Sequence, residues 1–320
     1  MPRGRDAELL HHLTAVPVSH VFITGPHRSG TTFLYSLLQS TKRVNVVTTY
    51  HVLRPDELLT HHLAGNSELA RKELAAELLA VGVLDRVIDG MPVSTDMPEE
   101  YGFVLGHGRP EAILSENVSR FSTFCRKVQY TSQSDRPLLL KNPWDFSNSL
   151  FIKQHFPNAK FLYLHRHPAR TLNSQLRAAR SMLADQNPYV ALLSPRYGRL
   201  FNRPITLAIA RLFWASRHGM GARLLARAYV QNCIRASQER RALPAGDRFD
   251  VPYERLCSHP NETISQILAW LGLNTTGLPD LARNVSPRSG GILPEIERLQ
   301  PRLATALQEY YKEFGYTTGG

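Results

Sequence analysis

Gly25 and Gly30 bracket a loop, Gly25-Pro26-His27-Arg28-Ser29-Gly30-Thr31-Thr32, whose residue types suit the capture of an anion. It follows Val21-Phe22-Ile23, an apolar run with the β-branched content of a buried strand. It precedes Phe33-Leu34-Tyr35-Ser36-Leu37-Leu38, whose apolar spacing is helical. The loop therefore sits at a helix N-terminus, where backbone N–H groups lack partners, the dipole is positive and glycine lets the backbone close around a phosphate. The glycine spacing is that of the nucleotide-triphosphatase loop G-x-x-x-x-G-K-[ST], yet Thr31 stands where the lysine belongs. The charge has moved to Arg28, whose planar fork can hold two oxygens of a phosphate or sulfate group. The next strand candidate, Pro137-Leu138-Leu139-Leu140-Lys141, ends in lysine and not in the aspartate that holds Mg²⁺ in such enzymes. These residues point to a nucleotide donor that needs neither a γ-phosphate nor a metal.

A second constellation lies further along. Lys160-Phe161-Leu162-Tyr163-Leu164-His165 reads as a strand, and Pro168 opens a helix after it, with Arg166 at the strand end and Ser174 eight residues later. In these two motifs the chain resembles the sulfotransferase family, which transfers sulfuryl groups from 3′-phosphoadenosine-5′-phosphosulfate (PAPS) and releases 3′,5′-bisphosphate (PAP). The family's phosphosulfate loop commonly reads Pro-(Lys or Arg)-Ser-Gly-Thr-Thr, and here it reads His27-Arg28-Ser29-Gly30-Thr31-Thr32. The resemblance implies that Arg166 and Ser174 contact the 3′-phosphate. Three weaker echoes extend it from about residue 18 to residue 291. Leu140-Lys141-Asn142-Pro143 resembles a strand end of bacterial and carbohydrate-directed members whose lysine faces the phosphosulfate. Val251-Pro252-Tyr253-Glu254 resembles a segment whose tyrosine lies near adenine. Ser286-Pro287-Arg288-Ser289-Gly290-Gly291 resembles a basic-glycine loop that closes over the 3′-phosphate.

The chemistry so implied is in-line attack of an acceptor hydroxyl or amine on sulfur, with Arg28, Lys141 and the loop N–H groups stabilising the departing bisphosphate. A general base is also required. Many bacterial members carry Thr-Trp-Glu after the first helix, whereas this chain reads Thr49-Tyr50-His51, and a histidine with a reference pKa near 6.5 can accept a proton at physiological pH. His51 is the first candidate base. Glu99 and Glu100, in a Pro98-Glu99-Glu100 turn that resembles the family's Leu-Pro-Glu-Glu near the acceptor pocket, are the second. Each residue also has a plainer reading: Lys141 as a solvated edge charge, Tyr253 as core, Arg288 as a loop charge, and Pro98-Glu99-Glu100 as an ordinary helix opening.

The elements that must position these groups alternate in the manner of a doubly wound α/β fold, a parallel sheet between helical layers. Strands are predicted near 20–24, 44–48, 137–141, 160–165 and 249–252, with helices between them. Residues 1–17 read as an N-terminal extension and 18–318 as one domain, with helical insertions at 55–130 and 175–245 shaping the acceptor pocket. In the second insertion Ile205, Ile209, Leu212, Phe213, Met220, Leu224 and Leu225 form an apolar stripe, with several arginines elsewhere. Cys125, Cys233 and Cys257 have neither zinc spacing nor an even count, which speaks against a disulfide framework. No apolar run reaches membrane-spanning length, and no signal-peptide core is present, which points to a cytoplasmic enzyme.

The net charge of +11 and pI near 9.8 suit a chain that holds a highly anionic nucleotide, and the arginine excess could also face anionic lipid headgroups or an acidic partner. A basic nucleic-acid-binding protein is the contrasting class, but no helix-turn-helix, zinc finger or stacking-aromatic sheet motif accompanies the charge. A P-loop nucleotide kinase is the closer alternative and lacks its lysine. The acceptor is read only as a small molecule, lipid or natural product, and no motif fixes an oligomeric state.

Overall fold

The computed structural model describes residues 5–83, 92–106, 108–216, 219–285 and 290–317. Five strands, β1 (His20–Thr24), β2 (Asn45–Val46), β3 (Leu138–Lys141), β4 (Lys160–His165) and β5 (Arg248–Pro252), form one sheet in the order β2-β3-β1-β4-β5. Every pairing is parallel, as the alternation of strand and helix predicts. Parallel strands covered on both faces need apolar side chains on both. Phe22, Leu138, Leu140, Phe161 and Tyr163 fill one layer, packed with Phe121 and Val128 of the helix Val118–Ser132. Val21, Ile23, Leu139, Leu162, Leu164 and Val251 fill the other, against α1 (Thr31–Ser40) and the helix Pro260–Trp270. A third cluster joins Leu172 and Leu176 to Ala226 and Tyr229 and to Leu303, Tyr310 and Tyr311 near the C-terminus.

The edge strand β2 is shorter than the predicted 44–48. Asn45 turns its side-chain amide to Gln129, Ser132 and the carbonyls of Ser134 and Arg136, and Thr48 becomes the N-cap of α2 (Thr49–Leu53). Asp6, within the N-terminal extension, is anchored to the rest of the chain. Asp6 is 1% exposed, accepts the N–H groups of Leu59 and Thr60, and lies 2.9 Å from the Lys127 ammonium. Burial alone would raise its pKa, but the Lys127 and backbone hydrogen bonds win and hold it below the ordinary value.

The strand order places β1 at the centre between β3 and β4; from β1 the chain runs to one side, to the edge strand β2, and from β4 it runs to the other, to β5. A crevice therefore opens beyond the carboxyl ends of these strands. The register aligns the contributors: Ile23 lies beside Lys141, Thr24 beside Tyr163, and His165 beside Pro252. The residues that follow each strand end, the Gly25 loop, Asn142, Arg166 and Tyr253, are thus brought to one edge.

Candidate active site

The loop after β1 is closed by Ser29, whose hydroxyl and backbone N–H both donate to the Pro26 carbonyl at 2.8 and 3.2 Å. Arg28 sits at φ 66, a left-handed conformation that a residue with a Cβ adopts at a cost of about 1–3 kcal/mol. Gly30 follows at φ 108 as the N-cap of α1; lacking a side chain, it cannot satisfy the first-turn N–H groups of the helix, and Thr31 and Thr32 line the cavity there. A Cβ at Gly30 would lie 2.4 Å from the Tyr253 ring, so only glycine permits this approach.

Arg166 locks the loop to β4 and β5. It donates to the Arg28 carbonyl at 2.9 Å, its guanidinium lies 4.4 Å over the Tyr253 ring, and its buried Nε has no partner among the described residues. Arg28 in turn donates from Nε to Ser174 Oγ at 3.4 Å, and Gln175 donates to the His27 carbonyl at 2.7 Å. Two arginines, one with an unused buried donor, and a helix N-terminus therefore converge on one patch of wall. That donor set fits two phosphate-like groups.

Lys141, 1% exposed, ends β3 beneath this loop and donates to Thr32 Oγ1 at 2.9 Å and to Glu100 Oε1 at 2.6 Å. The edge-charge reading of Lys141 therefore does not hold. The residues that follow Glu100, Tyr101 and Gly102, are held by the turn that follows the lysine. Asp145 accepts from Tyr101, Asn142, Asn148 and the Ile113 N–H, and Gly102 lies so near Asn142 that a Cβ would come within 2.5 Å of its amide oxygen. Burial raises the Asp145 pKa against these hydrogen bonds. Glu99 points elsewhere: it accepts the Glu100 N–H at 2.8 Å and the Tyr189 hydroxyl at 2.5 Å, and it is fully buried.

A cavity of about 1140 Å³ runs from the loop, Arg166 and Tyr253 past Glu100 to a wall that includes Phe103, Trp144, Met182, Tyr197, Leu225 and Tyr229. That exceeds the upper range of a single small-ligand pocket, about 1,000 Å³, and leaves room for two reactants. His27 opens onto the cavity with its ring edge-on to Trp144 at 4.5 Å.

His27, Arg28, Gly30, Thr31, Thr32, Arg166, Tyr253 and Glu100 thus share one cavity, with Ser29, Lys141 and Ser174 bracing its wall. His51 does not reach it. Its Nδ1 accepts the Thr48 N–H at 3.0 Å, so it serves the start of α2, and burial, aided by Arg71, drives its pKa to about 3 against a hydrogen bond that the ring donates to the Val46 carbonyl. Arg288 and Ser289 lie outside the described residues, and Gly290 is exposed with no atom within 4 Å of a built Cβ. The aromatic wall, Trp144 above all, and the Asp145 network were missed. Only the Asn142-Pro143-Trp144 turn after Lys141 could have signalled them.

Among the described residues no group of three His, Cys, Asp or Glu side chains could hold a metal ion, and no helix is long and apolar enough to cross a membrane. No curated protein sequence matches the chain. Its fold is similar to that of the sulfotransferase STF9 from Mycobacterium avium, with a TM-score of 0.69 and 16% identity over 96% of this chain and 80% of that one. It is also similar to STF1 from Mycobacterium tuberculosis H37Rv, with a TM-score of 0.56 and 16% identity over 93% and 80%. The family model described as the sulfotransferase family matches residues 20–203, the stretch that holds the Gly25 loop, Glu100, Lys141 and Arg166. With more than half its length matched, the chain belongs to the sulfotransferase family and is an enzyme of that class.

Proposed function

We propose that this enzyme moves a sulfuryl group from PAPS to a hydroxyl of an apolar alcohol, with Glu100 as general base. The observation that carries this reading is the convergence of Arg28, Arg166, Lys141 and the α1 N-terminus at one end of a cavity whose other end is aromatic and aliphatic. Arg28 and the first-turn N–H groups suit the 5′-phosphosulfate, and Arg166, stacked on Tyr253, suits the 3′-phosphate with adenine alongside the ring. The Arg288-Ser289-Gly290 loop remains the proposed cover of the 3′-phosphate.

In the reaction, an S–O bond forms to the acceptor oxygen as the S–O bond to the 5′-phosphate breaks, and the acceptor proton passes to the Glu100 carboxylate. Lys141, bonded to both Thr32 and Glu100, holds the base at the loop and places a positive charge where the leaving oxygen becomes negative. The apolar wall excludes water, which would otherwise compete as the acceptor.

Isothermal titration with PAP, AMP and ATP tests the donor assignment. Binding is expected to need the 3′-phosphate and no Mg²⁺, and Arg166→Ala should weaken PAP by about 10–100-fold, the worth of a charge-assisted hydrogen bond. Preference for Mg²⁺-ATP, or unchanged PAP affinity in the variant, would overturn it.

A further inference from the structure

The stripe 205–225 was expected to line a helix face, and the structure turns most of it outward. In the helix Pro204–Ala215 only Leu207 is buried, whereas Ile205, Ile209 and Leu212 are 77, 64 and 74% exposed. Their i, i+4, i+7 spacing puts them on one face, opposite Leu207. The next helix, Met220–Ala242, adds Met220 and Leu224, 48 and 55% exposed. Scattered apolar residues on a surface are ordinary; five large ones on two packed helices form a patch of the kind that meets a partner.

The stretch of sequence that carries the patch is one-signed in charge. From residue 186 to 238 the sequence holds eight arginines and no lysine, aspartate or glutamate, which is +8 of the net +11. Arg199 and Arg203 precede the first helix; Arg223 and Arg227 share a face with Met220 and Leu224. All four are exposed, and none forms an ion pair among the described residues. Arg211 is spent on the Leu183 and Ala184 carbonyls, and the nearby Glu295, against Gly219, is paired with Arg180.

We infer that this arginine-rimmed apolar face docks on the surface of an anionic phospholipid bilayer. Aliphatic side chains inserted at the headgroup boundary and guanidinium groups on lipid phosphates are what such a face offers. A second copy would set like-charged rims against each other across a two-fold contact. A nucleic acid would leave the aliphatic groups uncovered, for binding there relies on stacking aromatics. Docking does not depend on the identity of the acceptor. It would nonetheless set the cavity beside the lipid surface, since Leu225, next to exposed Leu224, lines that cavity.

Co-sedimentation of the full chain with phosphatidylcholine vesicles, with and without phosphatidylglycerol, tests this. Retention is expected on the anionic vesicles, falling steeply with salt. Arg199→Ser with Arg203→Ser should lower partitioning by about 25-fold, at roughly fivefold per arginine. Ile205→Ser with Leu212→Ser should lower it by at least about tenfold. PAP titration and circular dichroism of each variant verify that the fold is intact. Equal retention on both vesicle types, no retention, retention unaltered by either pair, or a dimer that the serine variants dissociate without any vesicle binding would each overturn the inference.

Discussion

Gly30→Ala is the most exposed test of the donor site, because two separable costs meet at one atom. The first is conformational: a residue with a Cβ at φ 108 pays about 1–3 kcal/mol. The second is steric: the new methyl would sit 2.4 Å from Cδ2 and Cε2 of Tyr253, and forcing a group into packed space costs a further ~1–3 kcal/mol. Gly30→Ala should therefore destabilise the protein by about 2–6 kcal/mol and lower Tm by about 4–12 °C, taking ~2 °C per kcal/mol for a chain of this size. Because Tyr253 carries Arg166 on its face, the displaced ring should also cost PAP about 10–100-fold in affinity. The two costs separate in a Tyr253→Ala background. There the steric cost vanishes and Gly30→Ala should cost only the conformational ~1–3 kcal/mol. Thermal unfolding and PAP titration of the wild type, both single variants and the double variant complete the cycle. An equal cost in both backgrounds would refute the steric argument, and full PAP affinity in Gly30→Ala would refute the site.

Lys141→Ala should lower kcat by about 10²–10³ and destabilise by ~3–5 kcal/mol, since it strips the buried Glu100 carboxylate of its cation; stopped-flow turnover and denaturant unfolding measure the two, and a loss of less than tenfold in kcat would remove Lys141 from the leaving-group role. Glu100→Gln keeps the shape and removes the base, so kcat should drop by about 10²–10⁴ with PAP affinity preserved, and a normal rate would rule Glu100 out. His51→Asn should instead leave kcat within a few-fold and alter acid stability. His51 is buried neutral with a pKa of about 3 against 6.5 when unfolded. The unfolded chain therefore binds the proton first, and stability present above pH 6.5 is lost as pH falls toward 3, by about 2 kcal/mol at pH 5. Unfolding curves between these limits should flatten in the variant.

Much of the site was legible because phosphate capture leaves local marks: a glycine-spaced loop between an apolar run and a helix, and an arginine at a strand end before Pro168. The sheet was legible for the same reason, since Leu138–Leu140 and Phe161–Leu164 are uninterrupted apolar runs. His51 misled because its position matched that of a family glutamate, while its burial and its bond to the Thr48 N–H depend on how α2 turns under the sheet. Which of the two glutamates faces the cavity could not be read either, because neighbours in sequence diverge: Glu99 turns to Tyr189, a partner 90 residues away. The stripe at 205–225 has a helical period, but periodicity does not say whether protein, solvent or lipid meets it.

The braces that hold the Gly25 loop cross long spans of chain, 138 residues to Arg166, 146 to Ser174 and 148 to Gln175. None of them can form until β4 has paired beside β1, and the Tyr253 side of the cavity waits for β5. Non-local parallel pairing is slow to nucleate, so this site is a late product of folding. A nascent chain that has emerged only as far as β3 carries the loop without its clamps. Bisphosphate binding thereby becomes a reporter of the final docking step. Ligand supplied at a hundred times its Kd would add about 2.7 kcal/mol to the completed state, enough to pull refolding toward it.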